Sequence, residues 1–209
     1  TNYRDLVDAI FSAHASRRGK ARWGDKTPDY VEDMDVLWKL FPGCRFIHLV
    51  RDGRDVAGSL RNLSWGSRNL VKLAEDWRWK VTLGRKMGEM IPGYYLEVKY
   101  EELVHRPAAT LTEICDFIGE KYEFSMLDFH EDAESEMPET SLRWHRSSVA
   151  APNPEKVQSW RSSMNREDLV IFERIAGDAL DMFGYERLSS EPTLRSKLQF
   201  YRYALFGHA

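Results

Sequence analysis

Cysteine is scarce, with two residues in 209, Cys44 and Cys115. Two cannot frame a disulfide scaffold, and their separation lacks metal-ligand spacing. The six histidines show no metal-binding pattern such as HExxH. No apolar run approaches the roughly 18 residues that a membrane span needs. The opening stretch, TNYRDLVDAIF, is polar and acidic and carries no signal-peptide pattern. Charge of either sign is not in excess: 30 Lys and Arg against 33 Asp and Glu give a net charge of −3. That balance argues against a general nucleic-acid binder and leaves room for a local basic site. Internal repeats and low-complexity linkers are absent. What is present is 43% apolar and 12% aromatic residues, a globular composition. The expectation is one soluble domain over residues 1–209, able to bury about 70% of its unfolded surface.

Periodicity supplies the elements. Leu6, Val7, Ile10 and Phe11 give residues 3–14 a helical spacing. Thr27-Pro28 reads as a helix start with a hydroxyl N-cap. Tyr30, Met34, Leu37, Trp38 and Phe41 mark one face of that helix up to Pro42-Gly43. RFIHLV (45–50) is an almost continuous apolar run, suited to a parallel strand covered on both faces. A helix over 54–62 follows, then a long one over about 68–90, and YYLEVKY (94–100) as a second strand. PAATLTEICDFIG (107–119) and 166–183 read as helices closed by Gly119 and Gly184, and 193–206 as a terminal helix. EDAESEMPE (131–139) reads as a solvated acidic loop. The strand, helix, strand order with crossover lengths predicts an α/β fold with a mostly parallel sheet.

The chemistry concentrates in HLVRDGRDVAGSL (48–60). An apolar strand delivers Arg51 to its carboxyl end, where open α/β sheets bind ligands. The helix that starts at once presents free N–H groups and a positive dipole end. Ser59 lies seven residues beyond Asp52, about two turns along. Arg51 offers a planar fork for phosphate oxygens and Ser59 a hydroxyl. The competing reading is a surface turn in which Arg51, Asp52, Arg54 and Asp55 pair with one another.

The run R-D-G-R-D-V-A-G-S resembles the 3′-phosphate-binding motif of sulfotransferases that use 3′-phosphoadenosine-5′-phosphosulfate (PAPS). Its arginine and the serine eight positions later, here Arg51 and Ser59, hold the 3′-phosphate in that family. Gly24-Asp25-Lys26-Thr27-Pro28 resembles the lysine-proline segment of bacterial and tyrosylprotein sulfotransferases, whose lysine, here Lys26, lies near the transferred sulfuryl group. VKYEELVHRP (98–107) resembles the family's tyrosine-glutamate segment, and Tyr100 is then a nucleotide contact. RSS with VAAPNPEKVQSWR (146–161) resembles the late serine and lysine-tryptophan region, with Ser147 and Lys156 as the nearest matches. AGDALDMFGYE (176–186) resembles the closing helix. The likeness covers about residues 20–187 and implies a P-loop-NTPase-like three-layer fold.

The family's P-R-S-G-T-T loop, whose backbone N–H groups grip the 5′-phosphosulfate, has no match in these 209 residues. The first strand, that loop and the general base are therefore expected upstream of residue 1, in a longer protein. The resemblance implies a PAPS-dependent transferase that moves a sulfuryl group to an acceptor hydroxyl or amine, with no metal. The alternatives are a non-catalytic relative that binds nucleotide or a partner, and a nucleotide kinase. A kinase needs a glycine-lysine loop and Mg²⁺ carboxylates that the sequence does not show. The acceptor is a small molecule, glycan or peptide; the compartment is cytoplasmic, or the Golgi lumen should an anchor precede the chain.

Other residues weigh less. His48 reads as a core histidine, and His145 as part of a solvated loop near Arg143 and Arg146. Trp65, Trp77 and Trp79 are candidates for an acceptor groove, although Trp77 and Trp79 cannot share one helix face. Glu101 and Glu102 read as a helix start, Glu101 with the option of orienting a base.

Overall fold

The computed structural model describes residues 2–63, 66–129 and 152–188, together with Leu198 and Tyr201. Helix α1 (Tyr3–Arg17) starts at Asn2, which forms a capping box with Asp5. A 3₁₀ turn (Pro28–Val31) and α2 (Met34–Leu40) lead to strand β1 (Phe46–Val50). Then come α3 (Gly53–Arg61), α4 (Leu70–Glu89), β2 (Tyr95–Lys99), α5 (Tyr100–His105) and α6 (Pro107–Ile118). A one-turn helix, α7 (Trp160–Ser163), precedes α8 (Arg166–Met182). Ser147, His145, the 131–139 run and Trp65 lie outside the described residues, as does most of 193–206.

β1 and β2 pair in parallel, with Phe46 opposite Tyr95 and Val50 opposite Lys99. The α4 crossover between them makes the βαβ unit anticipated from sequence. The core lies where β1 ends: Val50, Ala57, Leu73, Ala74 and Trp77 close against Ile171, Phe172, Ala176 and Leu180 of α8. Arg78 on α4 and Asp178 on α8 bridge these helices with Nε–Oδ1 at 2.8 Å and Nη2–Oδ2 at 2.5 Å.

Three expectations need correction. The strand 45–50 is not covered on both faces, because Ile47 and Leu49 stay 43% and 49% exposed. Alternation wins over the apolar run: His48 and Val50 turn inward to α4 and the core. The helix expected from Thr27 to Phe41 is divided. The Thr27 hydroxyl donates to Asp25 at 3.2 Å and caps nothing, so Pro28 starts a 3₁₀ turn and α2 begins only at Met34. The apolar spacing of α1 buries little, since Leu6 and Ile10 are exposed; Phe11 alone of that set stacks, on Trp23 at 4.7 Å.

Candidate functional site

Register builds the site. Val50 and Lys99 are opposite each other, so Arg51 and Tyr100, next in each chain, leave the carboxyl edge of the sheet side by side. The Arg51 guanidinium carbon lies 4.6 Å from the centroid of the Tyr100 ring. Its Nη2 donates to the Lys156 carbonyl at 2.6 Å and stands 3.8 Å from Asp55 Oδ2. The Arg51 Nε is buried with no hydrogen-bond partner among the described residues. A buried guanidinium N–H without an acceptor is costly, and an anion at that edge would satisfy it. From behind, the Trp77 indole N–H donates to the Arg51 carbonyl at 3.0 Å.

The turn that aims Arg51 is held by buried charge. Asp52 caps α3, its Oδ1 accepting the Arg54 N–H at 2.9 Å. The Asp52 N–H donates to Glu101 Oε1 at 2.9 Å, and the Tyr185 hydroxyl donates to Glu101 Oε2 at 3.1 Å. Burial first, and then the Glu101 charge, push the Tyr185 phenol well above its ordinary range. Arg54 is 1% exposed. It meets Asp52 Oδ1 and Oδ2 at 3.0 and 2.8 Å and Glu173 Oε1 at 2.7 Å, and it lies 3.6 Å over the Trp160 ring. Gly53 is required for close approach, because a Cβ there would stand 2.3 Å from Trp77 Cδ2. The four charges of the turn form two pairs, Arg54 with Asp52 at 2.8 Å and Arg51 with Asp55 at 3.8 Å. Asp52, Arg54 and Asp55 are buried, and Arg51 alone keeps donor capacity toward the sheet edge. The pairing in the surface-turn reading is present, but Asp52, Arg54 and Asp55 do not lie at the surface.

The other sequence candidates distribute as follows. Ser59 sits in the last turn of α3, exposed, seven residues beyond the cap. The chain around Lys156 reaches Arg51 through its carbonyl. Lys26 is exposed on the segment before the 3₁₀ turn. Trp77 packs in the core and Trp79 is 59% exposed, so they do not form one groove wall. His48 Nδ1 lies 2.6 Å from the Tyr95 hydroxyl, which fits the core reading. Glu101 accepts the Asp52 N–H at 2.9 Å, and Glu102 pairs with Arg106 at 3.5 Å. Sequence reasoning missed Asp55, Glu173 and Trp160 as parts of the site's support. Their partners come from more than a hundred residues away, which no local pattern reports.

Beside the turn, a cleft of about 170 Å³ is lined by Asp52, Arg54, Glu101, Trp160 and Tyr185, among others. Among the described residues no group of three or more His, Cys, Asp or Glu side chains is arranged to hold a metal ion. No helix there is long and apolar enough to cross a membrane.

A parallel βαβ unit that aims an arginine past its carboxyl edge, with a capped helix behind it, defines a P-loop-like α/β protein. The chain belongs to the sulfotransferase family, whose sequence model matches residues 1–123. A Caenorhabditis briggsae protein, provisionally named a protein-tyrosine sulfotransferase, is 23% identical over 198 residues, covering 91% of this chain and 70% of that one. Carbohydrate sulfotransferase 1 of Danio rerio is 21% identical over 127 residues, 61% of this chain and 30% of that one. The sulfotransferase domain of the Synechococcus PCC 7002 olefin synthase shares the fold, with a TM-score of 0.65 and 24% identity. That match covers 89% of this chain and 65% of the domain. A sulfotransferase domain from the curacin biosynthetic pathway gives a TM-score of 0.55 at 17% identity, over 87% and 68% of the two chains. Family membership supports sulfuryl transfer in general.

Proposed function

We propose that this chain is a PAPS-dependent sulfotransferase that moves a sulfuryl group to an acceptor hydroxyl or amine and releases adenosine 3′,5′-bisphosphate. The observation that carries the reading is Arg51: a fork at the carboxyl edge of β1, laid on Tyr100, with a buried Nε that lacks an acceptor among the described residues. That donor set fits a phosphate. PAPS supplies the activated sulfuryl group. Arg51 and Ser59 hold the 3′-phosphate, Tyr100 contacts the nucleotide, and Lys156, with Ser147 outside the described residues, is a further candidate for nucleotide contact. Lys26 neutralises charge on the transferred group or on the phosphate it leaves. In-line positioning and charge stabilisation are then the main catalytic devices. The acceptor is a small molecule, glycan or peptide, and the names of the relatives suit the last two.

Calorimetric titration with adenosine 3′,5′-bisphosphate tests the clamp. Wild type is expected to bind at micromolar concentration or tighter, and Arg51→Ala to weaken binding by at least tenfold. Equal affinities would remove Arg51 from the site. Absence of binding by folded wild type would favour the relative that has left the chemistry.

A further inference from the structure

Gln158 has φ +56°, the only positive value at a non-glycine residue among those described. Side chains are held in the left-handed region only where the surroundings over-determine them. Here the holder is Asp55, whose side chain is fully buried. Asp55 Oδ2 accepts the Gln158 N–H at 2.8 Å; Oδ1 accepts the Ser159 hydroxyl at 2.8 Å and the Trp160 N–H at 2.9 Å. All three partners are donors, so the group that suits them is a carboxylate with two acceptor oxygens. An amide would turn an NH₂ toward one side of the set. The segment fastened in this way brings the Lys156 carbonyl to Arg51 Nη2 at 2.6 Å, and Asp55 Oδ2 remains 3.8 Å from the same nitrogen. One carboxylate thus fixes the loop and the side of the guanidinium that the loop occupies. Among the described residues the Arg51 Nε is left as a donor without a partner.

We infer that Asp55 is a positioning residue of the nucleotide site: it locks residues 156–160 over Arg51, keeps Gln158 strained, and so sets the direction of the Arg51 fork. The inference rests on the assignment of Arg51 to the 3′-phosphate. Asp55 touches no substrate and acts through Arg51 and the loop.

Four proteins decide it: wild type, Asp55→Asn, Gln158→Gly and the double variant. Each is followed by amide hydrogen exchange and by titration with adenosine 3′,5′-bisphosphate. In Asp55→Asn, exchange at Gln158 and Trp160 is expected to quicken at least tenfold while the α8 amides are unchanged. Affinity should fall about tenfold, in line with the loss of hydrogen bonds to a charged group. Glycine adopts the left-handed region without the Cβ penalty, so adding Gln158→Gly should recover threefold or more of that affinity. A defect spread through the fold would instead raise exchange across α3 and α8, and one exposed loop position would not reverse it. Unchanged exchange in Asp55→Asn, or lost affinity with no rescue, overturns the inference. Should Asp55→Asn fail to fold, Ser159→Ala removes one donor and leaves the carboxylate; faster exchange at Gln158 and Trp160 is expected, and no change overturns the role. If wild type binds and Asp55→Asn binds equally, positioning fails alone. If wild type does not bind, the nucleotide assignment fails and the role of Asp55 at that site falls with it.

Discussion

Lys26 and Arg54 carry the same charge in opposite surroundings. Arg54 is sealed between Asp52, Glu173 and the Trp160 ring. Removing one partner from a buried ion network leaves uncompensated charge and typically costs about 3–5 kcal/mol. Arg54→Met should therefore lower stability by about that amount, read as a reduced urea midpoint; a midpoint within experimental error of wild type would show that the network is not needed. Lys26 is exposed, so Lys26→Ala should leave the fold intact. If Lys26 serves the transferred group, release of adenosine 3′,5′-bisphosphate from PAPS, with a simple phenol as probe acceptor, should fall roughly 10²–10³-fold. Nucleotide affinity should hardly change, and unaltered turnover would remove Lys26 from the mechanism. The contrast also shows what the sequence made legible. Arg51 was readable because strand, turn and helix start are contiguous, and a local pattern encodes them. The partners of Asp55 lie 103 to 105 residues downstream, and only the folded chain brings them together.

Helix α4 illustrates the same division among elements. Its length and its position between two strands followed from periodicity, but the reason for its glycines did not. Gly84 and Gly88 face the sheet. A Cβ on Gly84 would lie 2.6 Å from the His48 ring, and one on Gly88 2.4 Å from the Tyr95 ring. The helix can sit this close to β1 and β2 only without those atoms, and beneath them runs the polar chain His48, Tyr95, Glu97 and Arg85. Overpacking such a contact typically costs about 1–3 kcal/mol, more than the helix propensity gained by replacing glycine. Gly84→Ala should therefore be destabilising, with thermal unfolding as the measurement; a stabilised variant would mean that the ring moves aside freely. For β1, an apolar composition suggested two covered faces, and pleating instead leaves Ile47 and Leu49 on the open side. Composition reports what a strand can bury, and its neighbours decide what it does bury.

For the whole molecule, buried titratable groups at the sheet should shape stability against pH from both ends. Burial depresses the His48 pKa; the Glu97 carboxylate opposes that shift and Arg85 adds to it. A depressed folded-state pKa means that the unfolded chain takes up the proton first as pH falls. Stability is then full above the ordinary histidine value of about 6.5 and declines below it. Asp178, held low by its hydrogen bonds to Arg78, extends the decline into the carboxylate range, since protonating it loosens the bridge between α4 and α8. At the alkaline end the signs reverse. Burial, assisted by Glu97 and Glu101 respectively, raises the Tyr95 and Tyr185 pKa values, so the unfolded chain releases those protons first and stability falls as pH rises past about 10. Urea midpoints between pH 5 and 8 isolate the histidine. Wild type should lose stability toward pH 5, and His48→Gln, which cannot titrate, should flatten the slope between pH 7 and 5 while leaving the alkaline decline in place. An equal slope in both proteins would assign the acid limb to carboxylates such as Asp178 alone, and His48 would then be a packing residue whose charge state the fold does not sense.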